Sequence, residues 1–155
     1  LTACVLKRPR HNKIIYELNK LNVMIKFIDD GDVSGVIEVS DPKKKIDIYM
    51  GVGGGPEGVL AASALSCLNC QMQTRLVFSN DGEKNRAKKL GINNLNKKYN
   101  IDDMVKGDII FCATGVTDGD LAKGVEDLGN EYKVTTFALH RSQKTIKTIS
   151  NFYNK

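Results

Sequence analysis

The sequence predicts an α/β fold with a mixed, partly parallel sheet, on three observations. Apolar, β-prone runs alternate with helix-like runs in the first half of the chain. Each of the first three apolar runs is followed by Gly, Pro, Arg or Asp residues, which end strands. The 155 residues are 41% hydrophobic and 26% charged, as in ordinary globular domains. A single domain able to bury its own core is therefore expected.

The first third of the chain predicts three strands joined by two helices. The strands are short β-rich runs, and the first helix has apolar residues at helical spacing. Asp32 is expected to cap the second helix. In order, the elements are a strand at 1–6, a helix at 11–21, a strand at 23–28, a helix at 32–39 and a strand at 46–52. This order predicts parallel pairing of the three strands.

The rest of the chain predicts a less regular arrangement. An Ala-rich helix is expected over 57–73, with small residues where it packs closely. The following elements are a strand at 74–78, a basic helix at 82–90, an Asn-rich loop at 93–100, a short helix at 101–105 and strands at 108–113 and 132–140. Residues 143–153 add a last strand or helix. The sequence shows no internal repeat and no interdomain linker.

The charge pattern and the cysteines exclude several classes of protein. No run reaches the roughly 18 apolar residues of a membrane span, so no membrane association is predicted. The net charge of +5 comes largely from dispersed Lys residues, which we interpret as solvated surface rather than a nucleic-acid site. Four cysteines in apolar runs indicate packed thiols in a reducing compartment. They are Cys4, Cys67, Cys70 and Cys112.

The ends of the three predicted parallel strands carry the residues that suit a ligand. In open α/β sheets, ligands bind outside the carboxyl ends of the strands. The first strand is followed by Arg8-Pro9-Arg10-His11 at a helix start, which suits a phosphate but also fits ordinary surface arginines. Asp29-Asp30-Gly31-Asp32 follows the second strand. These carboxylates could bind sugar hydroxyls, hold a divalent cation, or form only a turn.

The third strand leads into a glycine-rich loop, Gly51-Val52-Gly53-Gly54-Gly55-Pro56-Glu57-Gly58. It matches neither a Walker loop nor a dinucleotide fingerprint. Its glycines allow a ligand to approach the backbone, and Glu57 beside an anion site indicates a Mg²⁺ or Mn²⁺ ligand. Together the three segments predict metal-assisted hydrolysis of a phosphorylated polyol. No Ser-His-Asp or Cys-His arrangement is evident, so no catalytic residue is assigned.

The motifs and their order resemble those of the class II fructose-1,6-bisphosphatases, some of which also act on sedoheptulose-1,7-bisphosphate. The resemblance runs from Leu1 to about Tyr153. The motifs that carry it are Leu6-Lys7-Arg8-Pro9-Arg10-His11, Asp30-Gly31-Asp32-Val33, Gly53-Gly54-Gly55-Pro56-Glu57-Gly58 and Phe111-Cys112-Ala113-Thr114-Gly115-Val116-Thr117-Asp118-Gly119-Asp120. Position 8 is usually Lys in the family and position 55 is often Ala.

The resemblance implies a set of site residues and a cofactor. It implies that Glu57 is a metal ligand for Mn²⁺ or Mg²⁺. The residues implied to bind the sugar bisphosphate are Arg8, Pro9, Arg10, Asp30, Gly31, Asp32 and, through its backbone, Gly54. The implied reaction is hydrolysis of the 1-phosphate of fructose-1,6-bisphosphate, in gluconeogenesis or the Calvin cycle. The resemblance allows sedoheptulose-1,7-bisphosphate as a further substrate.

The resemblance also implies that the chain is one part of an enzyme. The family's other metal carboxylates lie in an N-terminal half, which this chain lacks, so residues 1–155 would be a C-terminal α/β domain that is inactive alone. Its fold would be part of the layered sandwich of inositol monophosphatase-like sugar phosphatases. A homo-oligomer in the cytoplasm is expected, or in a plastid if a transit peptide was lost. The alternative reading is a sugar-phosphate-binding module without catalysis.

Overall fold

The computed structural model describes residues 1–155, and its fold is built from nine strands and five α-helices. The strands are β1 (Thr2–Leu6), β2 (Met24–Ile28), β3 (Ile48–Tyr49), β4 (Gln73–Arg75), β5 (Lys98–Asn100), β6 (Ile110–Thr114), β7 (Glu126–Asp127), β8 (Glu131–His140) and β9 (Thr145–Asn154). The helices are α1 (Asn12–Lys20), α2 (Asp32–Glu38), α3 (Gly55–Cys67), α4 (Asp81–Lys89) and α5 (Ile101–Met104). Short 3-10 turns lie at Pro9–His11 and Pro42–Lys44.

The strands form three separate sheets, and the α/β class is confirmed. The parallel sheet has the order β2-β1-β3, as the alternation of strands and helices predicts. Strands β4 and β5 form a small antiparallel ribbon. The antiparallel sheet has β8 at its centre, with β9 along one edge and β6 and β7 along the other. Parallel and antiparallel pairing are thus divided between sheets rather than mixed in one.

Helices cover both faces of the parallel sheet, because its central strand β1 carries buried apolar residues on both faces. On one face, Ala3 and Val5 of β1 are fully buried against Leu18 of α1. On the other face lies α2, whose Gly35 approaches Ile28 so closely that a Cβ there would collide with that side chain. A glycine at this helix position therefore lets α2 lie against the sheet.

A second core joins the helices to the antiparallel sheet. Ile37 of α2, Ala64 of α3, Phe111 of β6 and Leu139 of β8 form this buried cluster. Alanines make α3 narrow on this side, as the Ala-rich sequence predicts. The layers therefore follow one another as α1, the parallel sheet, α2 with α3, and the antiparallel sheet.

A buried carboxylate links α2 to its surroundings. Glu38 is only 6% exposed, and its two oxygens lie 2.8 Å from Lys26 Nζ and 3.0 Å from Lys44 Nζ. Burial raises the pKa of Glu38, but the hydrogen bonds and charges of the two lysines outweigh burial and lower it below its usual value. Lys44 Nζ also lies 3.8 Å from a carboxylate oxygen of Asp120 in the loop after β6. Lys43, Lys44 and Lys45 are all exposed, as the sequence predicts.

Several predicted elements differ from those observed. The Ala-rich helix ends at Cys67 rather than at residue 73, because Asn69 takes a left-handed backbone conformation. Gly31, not Asp32, is the N-cap of α2. The strand expected at 74–78 is displaced to Gln73–Arg75, and the Asn-rich loop at 93–100 contains β5. Residues 143–153, for which the sequence allows a strand or a helix, contain most of the strand β9.

The remaining features concern membranes and thiols. None of the helices has the length and apolar character that crossing a membrane requires. All four cysteines are free thiols, with Cys4 buried and Cys112 exposed. Burial raises the pKa of the Cys67 and Cys70 thiols, which keeps both in the unreactive protonated form.

Candidate active site

The three predicted binding segments lie at one edge of the parallel sheet, because each follows the carboxyl end of a parallel strand. The arginine segment lies between β1 and α1, and the aspartate segment lies between β2 and α2. The glycine-rich loop connects β3 to α3. The topology therefore brings together segments that are far apart in the sequence.

Val52 is the point at which the arginine segment and the glycine-rich loop are joined. Arg10 Nε donates a hydrogen bond to the Val52 carbonyl at 2.6 Å. His11 is fully buried, and its Nε2 accepts a hydrogen bond from the Val52 amide at 2.9 Å. The other ring nitrogen, Nδ1, lies 2.6 Å from the Leu6 carbonyl and donates to it in this tautomer. His11 thus ties the end of β1 to the loop and positions Arg10.

The Arg10 side chain is held in a way that leaves its binding groups available. Only Nε is engaged by the protein, and neither Nη atom makes a hydrogen bond. A guanidinium carries five N–H donors in a planar fork that matches phosphate oxygens. The Nη donors of Arg10 can therefore bind an anion without breaking the bond to Val52.

The aspartate segment turns sharply before α2. Gly31 has a φ of 75°, a conformation that glycine adopts without strain. Asp30 accepts a hydrogen bond from the Gly31 amide at 2.8 Å, and Asp32 accepts one from the Val33 amide at 2.9 Å. The second oxygen of Asp32 lies against Gly53, so this carboxylate faces the glycine-rich loop.

Glu57 lies in the first turn of α3, where the helix dipole favours a negative charge. Its carboxylate folds back over Gly54, where a Cβ would collide with Glu57 Oε2. A side chain at position 54 would therefore require the Glu57 carboxylate to move.

A cavity of about 400 Å³ brings four of the predicted site residues together. Its lining includes Arg10, Asp32, Gly54 and Glu57, together with Val52 and Gly53. A larger cavity of about 1130 Å³ shares all of these except Arg10 and extends towards Ile101 of α5. The other predicted residues do not line the smaller cavity; these are Arg8, Pro9, Asp30 and Gly31. Arg8 instead turns towards the Lys7 carbonyl, at 3.0 Å.

Tyr49 lines the larger cavity and was not singled out from the sequence. It lies at the end of β3 and contacts α2 near Gly35. Burial, and then the negative charge of Asp32, raises the pKa of Tyr49 to about 12. Its hydroxyl is therefore a neutral hydrogen-bond donor at physiological pH. The only signal in the sequence was its place two residues before the glycine-rich loop.

The donor set of the chain fits part of a divalent cation site. Asp32 and Glu57 supply two carboxylates to the cavity, and hard cations such as Mg²⁺ prefer such oxygen ligands. No group of three or more His, Cys, Asp or Glu side chains in the chain is arranged to hold a metal ion. A six-coordinate cation would thus need further ligands from substrate, water or other protein segments.

Comparison with known proteins gives one family for almost the whole chain. A model of the family described as bacterial fructose-1,6-bisphosphatase, glpX-encoded, matches residues 1–153. Among curated proteins, the chain is 35% identical to the class 2 fructose-1,6-bisphosphatase of Haemophilus influenzae over an alignment of 167 positions including gaps, which covers 99% of this chain and 50% of that protein. It is 34% identical to fructose-1,6-bisphosphatase 1 class 2 of Escherichia coli K12, covering 99% and 49%. The chain therefore spans about half the length of these relatives.

Proposed function

This chain belongs to the bacterial fructose-1,6-bisphosphatase family, and from that membership we propose that it forms the sugar-bisphosphate-binding part of a metal-dependent phosphatase. The proposed reaction is hydrolysis of the 1-phosphate of fructose-1,6-bisphosphate, with sedoheptulose-1,7-bisphosphate as a second substrate. This reaction would be a step of gluconeogenesis or of the Calvin cycle. The observation that supports this proposal most is the cavity shared by Arg10, Asp32, Gly54 and Glu57.

The chemistry of the cavity suits each part of such a substrate. The free Nη donors of Arg10 would bind a phosphate, since a guanidinium pairs with phosphate oxygens in two parallel hydrogen bonds. Asp32 would accept hydrogen bonds from sugar hydroxyls, and the backbone at Gly54 would allow the sugar to approach. Arg8, Pro9, Asp30 and Gly31 lie in the same two segments and would extend the site towards the second phosphate.

Glu57 would be a ligand of Mn²⁺ or Mg²⁺ in this site. When bound, such a cation polarises the phosphoryl oxygen and lowers the pKa of a water molecule. The Glu57 carboxylate lies over Gly54 in the first turn of α3, so its oxygens would be available to a cation at the cavity. In the hydrolysis, the bond between the phosphorus and the sugar oxygen breaks, and a bond to the water oxygen forms.

The remaining ligands would come from the half of the enzyme that this chain does not contain. We infer that residues 1–155 are a C-terminal α/β domain and that an N-terminal half supplies the other metal carboxylates. The alternation of helix and sheet layers supports the proposal that the domain is part of an inositol monophosphatase-like sandwich. Without that half, the chain would bind substrate but release little phosphate.

Calorimetric titration of the 155-residue chain with fructose-1,6-bisphosphate tests this proposal. Arg10→Gln should weaken binding roughly 10- to 100-fold, because a charge-assisted hydrogen bond contributes about 1.5–3 kcal/mol. Lys84→Gln on α4 is the matched control, since Lys84 pairs with Asp81 outside the cavity, and it should bind as the parent chain does. Glu57→Gln should remove any gain in affinity from Mn²⁺. Equal affinities of the Arg10 and Lys84 variants would contradict the proposal.

The second candidate function is a sugar-phosphate-binding module without catalysis. It is favoured by the two carboxylates at the cavity, which are too few for a complete metal site. Such a module would bind the sugar bisphosphate equally well with and without Mn²⁺, and Glu57→Gln would not change its affinity. Phosphate release that depends on Mn²⁺ and is lost in Glu57→Gln would exclude this candidate.

A further inference from the structure

Tyr49 lies where the two cavities of the site adjoin. Both cavities are lined by Asp32 and by the glycine-rich loop, whereas Arg10 lines only the smaller one and Tyr49 only the larger one. Burial is the main cause of the raised pKa of Tyr49, and nearby charges also act on it, with Asp32 raising it further and Arg10 lowering it. The phenol therefore lies beside the guanidinium that would bind a phosphate.

The ring of Tyr49 fits between two glycines, which fix the position of its hydroxyl. A Cβ at Gly35 of α2 would lie 3.1 Å from Tyr49 Cε2, and a Cβ at Gly51 would lie 3.0 Å from both Cε1 and the hydroxyl oxygen. Contacts this short leave no room for a side chain at either glycine unless the ring moves. The hydroxyl oxygen therefore lies beside Gly51, the first residue of the glycine-rich loop.

The hydroxyl of Tyr49 has a hydrogen to donate and no acceptor within the chain. No hydrogen bond contributes to its raised pKa, which burial and nearby charges account for. The hydroxyl is also not one of the polar atoms that are sealed in the core without a partner. A phenol can donate and accept hydrogen bonds, and a tyrosine that is partly buried ordinarily uses its hydroxyl in this way. The donor of Tyr49 is therefore free for a ligand in the larger cavity.

The charges that line the larger cavity indicate which part of a substrate enters it. Four carboxylates line this cavity, and no Lys, Arg or His does. They are Asp32, Asp47, Glu57 and Asp102. These carboxylates would repel a phosphate that entered without a cation, whereas they would accept hydrogen bonds from neutral hydroxyls. The phosphate of a sugar phosphate therefore belongs at Arg10, and its polyol chain extends towards Tyr49.

We propose that Tyr49 is a substrate-binding residue, whose hydroxyl donates a hydrogen bond to an oxygen of the sugar chain beside the phosphate bound by Arg10. A sugar hydroxyl that donates its hydrogen to Asp32 keeps two lone pairs, which need a donor. Carboxylates cannot supply one, and the parallel sheet contributes no other side-chain donor to this cavity. Tyr49 supplies the donor from a fixed position. This role rests on the sugar-bisphosphate site proposed above and adds one residue to it.

The first test compares Tyr49→Phe with the parent chain in calorimetric titrations with fructose-1,6-bisphosphate and Mn²⁺. Phenylalanine keeps the ring between Gly35 and Gly51 and removes only the hydroxyl. The affinity should therefore fall roughly 3- to 10-fold, as expected for the loss of one neutral hydrogen bond. Tyr16→Phe is the matched control, because Tyr16 is 62% exposed on α1 and lines neither cavity. It should bind as the parent chain does.

The second test uses hexane-1,6-diol bisphosphate, which carries two phosphates on a carbon chain of the same length but has no sugar hydroxyls. Arg10→Gln should weaken the binding of both ligands, whereas Tyr49→Phe should weaken the binding of the sugar bisphosphate alone. Equal losses for the two ligands in Tyr49→Phe would indicate a general disturbance of the site and would overturn this role.

The two tests separate this role from the function on which it rests. If Tyr49→Phe keeps the affinity of the parent chain for fructose-1,6-bisphosphate, the role of Tyr49 is wrong and the proposed function stands. If the parent chain binds neither bisphosphate, the proposed function is wrong, and the role of Tyr49 is wrong with it.

Discussion

Gly54 and Gly55 are neighbours in the glycine-rich loop, but the structure gives them different surroundings. A Cβ at Gly54 would collide with the Glu57 carboxylate, whereas a Cβ at Gly55 would meet no atom within 4 Å. Gly54 has a φ of −71°, which alanine also adopts, so its backbone does not require glycine. The constraint at position 54 therefore comes from the site and not from the chain geometry.

This difference predicts different results for two alanine variants. Gly54→Ala should change the free energy of unfolding by less than about 0.5 kcal/mol, because the flexible end of Glu57 can move, but it should weaken Mn²⁺ binding at least tenfold. Gly55→Ala should keep Mn²⁺ affinity and stabilise the start of α3 by up to about 0.5–1 kcal/mol. Denaturation in urea and titration with Mn²⁺ measure both effects. Equal Mn²⁺ affinities of the two variants would contradict this role for Gly54.

At the residue scale, the sequence predicts those site residues whose chemistry is evident from the residue type alone. Arg10, Asp32 and Glu57 were predicted from strand ends, and the structure places them on one cavity. The sequence does not single out His11, because nothing local shows that its ring is buried between β1 and the Val52 amide. Tyr49 is not evident from the sequence for the same reason, since its raised pKa depends on burial and then on the nearby Asp32.

At the element scale, Asp108 anchors the turn that joins β8 to β9. One carboxylate oxygen lies 2.7 Å from His140 Nε2 and accepts a hydrogen bond from Ser142 Oγ at 2.8 Å, and the other accepts one from the Ser142 amide at 3.1 Å. The hydrogen bond from His140 is the main cause that lowers the pKa of Asp108 to about 2. The same bond raises the pKa of His140 above its usual value.

The pair predicts a defined pH dependence of stability. A raised histidine pKa stabilises the fold below pH 6.5, and this contribution is lost as the pH rises through the raised value. A lowered carboxyl pKa stabilises the fold above pH 3.8, and this contribution is lost towards pH 2. The melting temperature of the parent chain should therefore exceed that of Asp108→Asn most at about pH 4–6.5, and the difference should shrink by pH 9.

His140→Gln is the matched control for this prediction. Glutamine can donate a hydrogen bond to Asp108 but carries no titrating proton, so melting temperatures at pH 5 and pH 9 should differ less than in the parent chain. An equal difference in the two proteins would assign the pH dependence to other groups.

The prediction of elements succeeded where the pattern was local and failed where pairing decided the outcome. Residues 11–21 contain the spacing of α1, and the helix forms within one residue of each predicted end. Leu76, Val77 and Phe78 have high strand propensity, yet they lie outside the ribbon because β5 pairs with Gln73–Arg75. The end of α3 was missed because the conformation of Asn69 is not visible in an Ala-rich pattern.

At the scale of the whole molecule, few residues hold the layers together. Only 19 of the 155 residues are buried, and Leu139 is the largest fully buried side chain. It packs in the cluster that joins α2 and α3 to the antiparallel sheet. Loss of this contact would therefore separate the two sheet layers rather than damage one element.

Leu139→Ala should lower the free energy of unfolding by about 3 kcal/mol, because it removes buried apolar contacts and leaves a cavity. Leu90→Ala at the end of α4 removes the same atoms from a side chain that is 76% exposed, and it should cost less than about 0.5 kcal/mol. Urea unfolding followed by circular dichroism measures both values. Similar losses in the two variants would show that the cluster does not support the fold.

The hydrogen bonds at Val52 determine which sequence changes in the loop leave Arg10 in place. Arg10 donates a hydrogen bond to the Val52 carbonyl, and His11 accepts one from the Val52 amide. Neither hydrogen bond involves the side chain of Val52. Many side chains could therefore replace valine there without moving the arginine. A single inserted or deleted residue in the loop would present a different peptide group and release both contacts. The length of the loop therefore matters more for these contacts than the identity of the side chain at position 52.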